Sequence, residues 1–477
     1  MDHQFRGERQ GLMQLATIPE RRSREEFKVL IDPYAAEAIT VYVPYTFHQE
    51  LEGWARSYYS LLQHVNAILA YLLQKLPEPT DDAWNQTKQH VLTNFLRMNQ
   101  IDPISYKRFD DVKWIQSSAA GYGYVGPKGD DDNYSKAQRT AVTIAEALHH
   151  DRNYGPEALL DSTPYIAFTL TQLSHITVQS KVRNVWGEAF HYVLLKGLVA
   201  DPLILFFKGV QSFYFMREDP LLAVPALIEE IIRAKDYVYM YDWFGFDASL
   251  QEWEIRFAFQ CLESLLRFPS NVEAQIWRFL IELFIYRKIA GPNKVLYLKT
   301  QGIPSGICFT NIIGSITNYV RIQYMFKRLT DRFALVFTHG DDSLAGVETT
   351  QFIQMDTFDS ICAPLLWKIN IEKSEVSRKN ENISFLSRTV KEYQNARNEL
   401  ACLRMLMYPE YNVVSGDISA LRAKSICRDA GINSRYLFEI FIYLKEKYGL
   451  AESLPFHLKV WDPTEFEARR ISASEIM

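Results

Sequence analysis

The chain contains few cysteines, and none has the spacing of a metal site or a disulfide framework. Five cysteines, Cys261, Cys308, Cys362, Cys402 and Cys427, are scattered through 477 residues. They form no Cys-x-x-Cys pair and no Cys/His cluster. This excludes zinc modules and disulfide-stapled secreted folds, and it indicates reduced core cysteines in a cytosolic protein.

A net positive charge is also missing. The chain has 52 Lys and Arg residues against 57 Asp and Glu residues, a formal charge of −5. Proteins that coat or condense nucleic acid depend on a large basic excess, so that class is excluded. Any contact with nucleic acid must use a local basic lining, for which Lys196, Lys208 and the Arg21–Arg24 run are candidates.

Long apolar runs, internal repeats and low-complexity tracts are absent as well. No apolar run reaches the length of a membrane-spanning helix, and residues 1–6 lack the apolar core of a signal peptide, so no membrane anchor is expected. Because 48% of the residues are hydrophobic and 14% are aromatic, the chain can bury a substantial core. We expect it to fold as one compact body.

The most informative segment that is present is Gly340-Asp341-Asp342, which lies between two apolar runs. This pattern predicts a hairpin with carboxylates at its tip, although Gly and Asp are also common in ordinary turns. Neighbouring residues on a strand-like turn point to opposite sides, which makes Asp341 a stronger metal-ligand candidate than Asp342.

Another carboxylate segment, the first in chain order, lies about a hundred residues earlier in the sequence. Residues 236–242 are rich in aromatic residues, predict a strand, and end at Asp242. Asp247 follows, and Ser249 and Glu252 have the spacing of a capping box that opens a helix. A two-metal phosphoryl-transfer site needs carboxylates from separate elements, and Asp242 and Asp341 are the natural pair.

Between these segments lies a Gly-Ile-Pro-Ser-Gly loop, residues 302–306, followed by the apolar-patterned stretch 312–329. The pattern predicts a loop that runs into a long helix. Such a loop offers backbone freedom and the hydroxyls of Ser305 and Thr310 beside a nucleic-acid strand.

The order of the three segments resembles motifs A, B and C of viral RNA-dependent RNA polymerases, most closely those of the small double-stranded RNA partitiviruses. The resemblance extends over about residues 115–390. Flanking segments resemble further motifs of that family: Ser118, Gly121 and Tyr122 the template-guiding motif G, Lys181 and Arg183 motif F, helix 352–362 and strand 367–374 with Lys373 motif D, and residues 385–388 motif E.

The resemblance implies a role for each candidate residue. Asp242, Asp341 and Asp342 would hold Mg²⁺ or Mn²⁺, and Lys373 would protonate the leaving pyrophosphate. The remaining residues would bind substrates. Those for the nucleotide are Lys181 and Arg183 on its phosphates and Asp247 on the ribose, assisted by Ser305, Gly306, Thr310 and Asn318; those for the template are Ser118, Gly121 and Tyr122.

Several positions near these motifs allow more than one role. Gly314 replaces the amide or carboxylate that many family members carry, so either Asn311 or Asn318 would orient Asp247, and we favour Asn318. Trp186, like Tyr122 and Tyr124, would either stack on bases or lie in the core. His339 is expected to make a hydrogen bond in the turn and not to bind Mg²⁺, which prefers oxygen.

The family also implies an architecture and partners. We expect an α/β (α+β) right-hand fold with palm, fingers and thumb, closed by bridging segments between fingers and thumb. The expected divisions are 1–100 (helical, bridging), 101–235 (fingers), 236–265 (palm), 266–300 (fingers insertion), 301–399 (palm) and 400–477 (thumb, with helices at 418–430 and 434–447). The expected partners are RNA template and product, nucleoside triphosphates and a viral capsid protein, inside the virion in the host cytoplasm.

Three other functions share part of the pattern. A reverse transcriptase has the same paired carboxylates, but it usually places an aromatic residue where this chain has Asp247. A non-catalytic RNA-packaging virion protein would not need the carboxylate set. A metal-dependent nuclease would not need the Ser-Gly loop with its following Thr and Asn.

Overall fold

The structure, a computed structural model, describes residues 10–19, 30–56, 59–130, 132–150, 159, 161–177, 182–216, 219–348, 352–379 and 382–452. The fold is a mixture of helices and strands, as predicted. The helices are α1 Pro33–Tyr42, α2 Tyr45–Leu51, α3 Leu61–Leu69, α4 Asp82–Leu96, α5 Asn133–His150, α6 Phe190–Gly209, α7 Pro220–Ala234, α8 Phe246–Ser249, α9 Glu252–Glu263, α10 Asn271–Ile285, α11 Thr310–Thr330, α12 Met355–Cys362, α13 Glu399–Met407, α14 Gly416–Ala430 and α15 Arg435–Tyr448. The strands are β1 Leu12–Thr17, β2 Trp54–Arg56, β3 Tyr165–Thr171, β4 Leu173–His175, β5 Val182–Gly187, β6 Tyr237–Met240, β7 Arg287–Ala290, β8 Val295–Lys299, β9 Leu335–His339, β10 Asp342–Val347, β11 Glu375–Ser377, β12 Thr389–Lys391 and β13 Gln394–Ala396.

A four-stranded sheet with the order β11-β6-β10-β9 carries the carboxylate segments. Strands β9 and β10 form the predicted antiparallel hairpin, in which His339 pairs with Asp342. Strand β6 pairs with β10 on one side and with β11 on the other. Because β6 and the hairpin are neighbours in one sheet, the residues that follow β6 lie beside the tip of the hairpin.

Helix α11 packs against this sheet and is buried along most of its length, which confirms the long helix predicted from the apolar pattern. The Thr338 hydroxyl of β9 donates to the Ser315 carbonyl at 2.9 Å. The following helix of the first carboxylate segment is also confirmed, but its capping box is formed by Gln251 and Glu254, not by Ser249 and Glu252. Ser249 instead closes the short helix α8.

One buried ion pair joins α11 to α9. The Arg321 guanidinium donates to both oxygens of Glu254, at 2.7 and 3.0 Å, and to the Ser249 hydroxyl at 3.1 Å. Neither side chain of the pair is more than 2% exposed. The ring centroids of Trp243 and Trp367 lie 5.5 and 4.8 Å from the Arg321 guanidinium carbon. The pair therefore fixes the helix before the hairpin to the helix after the first carboxylate segment.

A five-stranded sheet with the order β1-β8-β7-β3-β5 forms a second layer, antiparallel except for the β3–β7 pair. Strand β1 pairs with β8 from Leu12–Lys299 to Thr17–Val295. The prediction that residues 1–100 are helical is therefore wrong for β1 and for β2, which pairs with β4. A strand whose partner is so distant in sequence leaves no local signal of that partner.

The N-terminal segment also reaches the C-terminal helices, where α14 and α15 confirm the two helices predicted there. Residues of α1 and α2 share a core with α13, α14 and α15. Asp32 accepts hydrogen bonds from Ser419 and from the buried Arg422. Tyr408 donates to the Leu51 carbonyl at 2.8 Å. One stretch of chain thus contacts both the five-stranded sheet and the C-terminal helix group.

Helix α6 corrects two expectations. Its 20 residues are long and apolar enough to cross a membrane by length and composition, although no such run was predicted, because Lys196 and Lys208 interrupt the apolar pattern. Within the described residues, 72% of the most apolar 18-residue stretch of this helix is buried inside the protein. Lys196 is itself fully buried and paired with Glu188, so it cannot line a basic surface.

The Arg321–Glu254 pair yields a stability prediction. Glu254→Gln keeps the side-chain shape but leaves the Arg321 charge buried without its counter-charge, and we expect the free energy of unfolding to fall by about 3–5 kcal/mol. Glu282→Gln is the matched control, because Glu282 pairs with Arg256 in a half-exposed position and should lose less than about 1 kcal/mol. Urea denaturation measures both. Equal losses would show that burial of the pair is unimportant.

Candidate active site

The hairpin tip and the start of α11 are joined by side-chain hydrogen bonds. Gly340 has φ +64°, a left-handed conformation that suits glycine and lets the turn close. Its N–H donates to the Ser315 hydroxyl at 2.7 Å. The Ser315 hydroxyl in turn lies 3.3 Å from the Asn311 side-chain oxygen. The helix therefore holds the turn that carries Asp341 and Asp342.

Asn318 links three elements and corrects the role we favoured for it. Its Nδ2 donates to the carbonyls of Gly340 and Asp341, at 3.0 and 2.8 Å, and its Oδ1 accepts from Trp243 Nε1 at 2.9 Å. The side chain is fully buried. Because both polar atoms face the hairpin turn and Trp243, Asn318 does not hydrogen-bond Asp247.

Asp242 lies two residues beyond β6 and is held by the turn before β11. Asn370 Nδ2 donates to Asp242 Oδ2 at 2.7 Å, and the Asn370 N–H donates to the Asp242 carbonyl at 2.7 Å. The Asp242 N–H donates to the Ser374 hydroxyl at 2.9 Å. Sequence reasoning missed Asn370, since nothing in the local pattern shows that an amide faces a carboxylate so far away in sequence.

The turn also changes the predicted motif D elements. Helix α12 is confirmed, although Phe352 lies outside it. The strand expected at 367–374 is wrong, because β11 begins only at Glu375. The preceding residues form a turn in which the N–H groups of Lys373 and Ser374 donate to the Asn370 carbonyl, at 3.1 and 2.9 Å. Lys373 is exposed on this turn.

The carboxylates are close enough to perturb one another. Burial raises the pKa of Asp342 to about 7, and repulsion by Asp341 and Asp242 adds to the effect. Burial also raises the pKa of Asp247 to about 7, with a further increase from Asp341 and an opposing effect from Arg183. Asp341 and Asp342 are exposed and Asp247 is half-buried. The site therefore brings several carboxylates close together at the surface, which favours the binding of a cation.

Asp247 lies beside the glycine-rich loop and Tyr71. Its carbonyl accepts the Ile303 N–H at 2.8 Å, so α8 is attached to the glycine-rich loop. Tyr71 donates its hydroxyl to the Ile303 carbonyl at 2.7 Å. Burial, followed by the Asp247 charge, raises the pKa of the Tyr71 hydroxyl well above its usual value. Tyr71 is a neighbour of the candidate sugar-binding residue that the sequence did not indicate.

The glycine-rich loop packs against β5, the strand that carries Arg183. Gly306 has φ +91°, and a Cβ there would lie 2.7 Å from Val185 Cγ1. The Trp186 N–H donates to the Ser305 carbonyl at 3.0 Å. Thr310 closes the loop on itself, because its hydroxyl donates to the Pro304 carbonyl and accepts from the Ile307 N–H. Arg183 is exposed, whereas Lys181 lies outside the described residues.

The aromatic candidates separate into buried and exposed side chains. Trp186 is only 1% exposed and packs edge-on against Tyr71, which excludes stacking on bases. Tyr124 is half-buried, with its hydroxyl 2.9 Å from His191 Nδ1. Tyr122 is 43% exposed, so stacking on a base remains open to it. His339 makes the expected hydrogen bond, with Nδ1 2.8 Å from the Phe215 carbonyl.

The template-binding candidates occupy a tight loop. Gly121 has φ +84°, and a Cβ there would lie 2.2 Å from the Glu188 carbonyl oxygen, so only glycine fits. The Ser118 hydroxyl donates to the Ile115 carbonyl at 2.8 Å and accepts from Lys128 Nζ at 2.6 Å. Its hydroxyl therefore shapes the loop.

The donor set of the site fits a hard divalent cation. Asp242, Asp341 and Asp342 offer carboxylate oxygens, which Mg²⁺ prefers, and their mutual repulsion would be relieved by a positive charge. Within the described part of the chain, no three His, Cys, Asp or Glu side chains form a ready-made metal-binding group. Mg²⁺ usually binds one or two protein carboxylates together with water and substrate phosphates.

Asn318 yields a second prediction. Asn318→Ala leaves the buried Trp243 N–H and two carbonyls of the hairpin turn without partners, and each unpaired buried group costs about 1–3 kcal/mol. We expect a clear loss of thermal stability, measured by calorimetry. Asn85→Ala is the control, since Asn85 is exposed and its side chain contacts the Thr80 carbonyl at 3.4 Å. An Asn318→Ala protein as stable as the control would contradict this role.

Comparisons with known proteins show the family of the chain. The RNA-directed RNA polymerase of Cryptosporidium parvum virus 1 (strain KSU-1) is 35% identical over 121 residues, which cover 25% of this chain and 23% of that protein. The genome polyproteins of human hepatitis A virus genotype IIIA (isolate NOR-21) and simian hepatitis A virus genotype V (isolate AGM-27) are each 27% identical over 194 residues. These matches cover 39% of this chain but only 8% of each polyprotein. A model of the viral RNA-dependent RNA polymerase family matches residues 30–445, and the chain belongs to this family.

Proposed function

We propose that the protein synthesises RNA on an RNA template by nucleotidyl transfer. The observation that carries this proposal is the proximity of Asp242, two residues beyond β6, to Asp341 and Asp342 at the tip of the neighbouring hairpin. Carboxylates from separate elements are what a phosphoryl-transfer site requires. Arg183, Asp247 and the Ser305–Gly306 loop lie around them, where a nucleotide would bind.

In the reaction, the 3′-hydroxyl of the growing RNA attacks the α-phosphorus, a new P–O bond forms, and pyrophosphate leaves. Asp242 and Asp341, with help from Asp342, would hold two Mg²⁺ or Mn²⁺ ions, whose chemistry there would be to activate the hydroxyl and to neutralise the phosphates. Arg183 is exposed and would contact the triphosphate. Lys373, exposed on the turn next to Asp242, would give a proton to the departing pyrophosphate.

Asp247 would select the sugar. A carboxylate next to the candidate metal ligands can accept a hydrogen bond from a ribose 2′-hydroxyl. Asn318 is committed to the hairpin turn, so Tyr71 and the Ile303 backbone are the groups that shape this part of the site. An acceptor at this position favours ribonucleotides, whereas a reverse transcriptase would exclude the hydroxyl by bulk.

The proposal extends to the lobes. The four-stranded sheet with α9 and α11 would be the palm, the five-stranded sheet with α5 and α6 the fingers, and α13, α14 and α15 the thumb. The N-terminal segment would bridge fingers and thumb, since β1 joins the five-stranded sheet while α1 and α2 pack on the C-terminal helices.

The biological setting follows from the resemblance to partitivirus polymerases. We propose transcription and replication of a double-stranded RNA genome within a capsid built from a separate coat protein, in the host cytoplasm. The relative named as a polymerase of Cryptosporidium parvum virus 1 supports a viral replication role. RNA synthesis by particles purified from infected cells would test the setting independently of the chemistry.

The metal-ligand assignment predicts a loss of activity without a loss of fold. Asp242→Ala and Asp341→Ala should each abolish nucleotide incorporation on a defined single-stranded RNA, because a ligand of the ions that stabilise the transition state is lost. Asp82→Ala, at an exposed position in α4, is the control and should stay active. Wild-type synthesis by either site variant would refute the assignment. An inactive wild type would favour a non-catalytic packaging role.

The sugar-selection role predicts a change in specificity. Asp247→Ala should lower kcat/KM for ribonucleotides and reduce the ratio of kcat/KM for ribonucleotides to kcat/KM for deoxyribonucleotides. In the wild type a deoxyribonucleotide leaves the Asp247 acceptor unpaired, which weakens its binding by about 1–3 kcal/mol. Steady-state incorporation of matched ribo- and deoxyribonucleotides measures the ratio. An unchanged ratio would exclude Asp247 as the sugar reader. A wild type that prefers deoxyribonucleotides would indicate a reverse transcriptase.

A further inference from the structure

Within the described residues, every hydrogen bond of Asp242 is made with the turn at residues 370–374. Asn370 contacts the Asp242 carbonyl and Oδ2, and Ser374 accepts the Asp242 N–H. No described residue donates a hydrogen bond to Oδ1, the second carboxylate oxygen. The two oxygens of Asp242 therefore differ: one is fixed by the protein, and the other is left for a ligand.

Such a contact matters because an Asp carboxyl group rotates freely otherwise. The torsion that turns the carboxylate is broad, with no strong staggered preference. Repulsion from Asp341 and Asp342 would favour turning Asp242 away from the cluster. A 2.7 Å hydrogen bond from Asn370 Nδ2 fixes the rotation.

We propose that Asn370 is a positioning residue that presents Asp242 Oδ1 to the catalytic metal. This inference rests on the function proposed above. An amide suits the task better than a lysine or arginine would. It donates a hydrogen bond but carries no charge, so it orients the carboxylate without neutralising it or repelling a divalent cation.

The same turn carries Lys373, whose N–H donates to the Asn370 carbonyl at 3.1 Å. Asn370 thus contacts the candidate metal ligand through its side-chain amide and the backbone of the candidate proton donor through its carbonyl. A further backbone hydrogen bond joins the two segments just outside this turn, since the Phe244 N–H donates to the Lys368 carbonyl at 2.8 Å. Asp242 and Lys373 therefore sit on one connected unit, and a displacement of the turn would move both.

The test uses two variants of the full chain, Asn370→Ala and Asn370→Leu, the second of which keeps the approximate side-chain shape without the donor. Loss of a group that orients a metal ligand typically costs about tenfold or more in metal affinity or activity. We expect Mn²⁺ affinity of the RNA-free protein, measured by electron paramagnetic resonance, to fall by about that factor in both variants. Asn85→Ala serves as the matched control and should bind Mn²⁺ as the wild type does.

Activity with two metals provides a second measurement. Mg²⁺ demands near-ideal octahedral geometry, so a misoriented carboxylate should reduce Mg²⁺-supported synthesis more than Mn²⁺-supported synthesis, by about threefold or more in their ratio. Thermal unfolding identifies a variant that fails to fold, in which case the other variant decides. Unchanged Mn²⁺ affinity and an unchanged activity ratio would overturn the role of Asn370 while the polymerase function stands. A wild type that neither binds Mn²⁺ nor incorporates nucleotides would instead overturn the proposed function.

Discussion

The buried charge of Arg321 is the constraint on which the arrangement of the site depends. A guanidinium with no exposed surface must find its counter-charge inside the protein, and Glu254 supplies it through two hydrogen bonds. That requirement brings α9 against α11. Since α9 follows Asp247 and α11 precedes the hairpin, one ion pair fixes the distance between the two carboxylate segments.

Around this scaffold, neutral amides and hydroxyls hold the hairpin turn and Asp242 in place. They do so without neutralising the carboxylates of the site. Asn318 holds the hairpin turn by its carbonyls, Ser315 holds Gly340, and Asn370 holds Asp242. The result is a region where the pKa values of Asp247 and Asp342 are raised to about 7. The charge of Arg321 is paired inside the scaffold, whereas the neighbouring carboxylates of the site repel one another, which is typical of a site that needs a cation and a substrate to complete it.

The sequence predicted those parts of the fold whose signal is local. The hairpin at Asp341, the strand before Asp242 and helix α11 have apolar patterns that match their structures. Strand β1 was missed because it lies on a partner strand from the other half of the chain. The roles of Asn318 and Asn370 could not be predicted, since an amide bonds whichever group the tertiary fold brings within reach. The strand expected before Ser374 failed for the same reason, because Asn370 and Ser374 bond Asp242 and form a turn.

The connectivity of the N-terminal segment bears on how such a site stays assembled. Residues of α1 and α2 are buried against the C-terminal helices, whereas β1 is paired with β8, and β8 leads directly into the glycine-rich loop. Lys299, at the end of β8, is fully buried and donates to four backbone carbonyls, including those of Gln301 and Gly302. The N-terminal segment therefore contacts the C-terminal helices through α1 and α2 and, through β1, the strand that anchors this loop. Because the loop also contacts β5 and Asp247, pairing of β1 with β8 supports the place where the sugar and the phosphates of a nucleotide would bind.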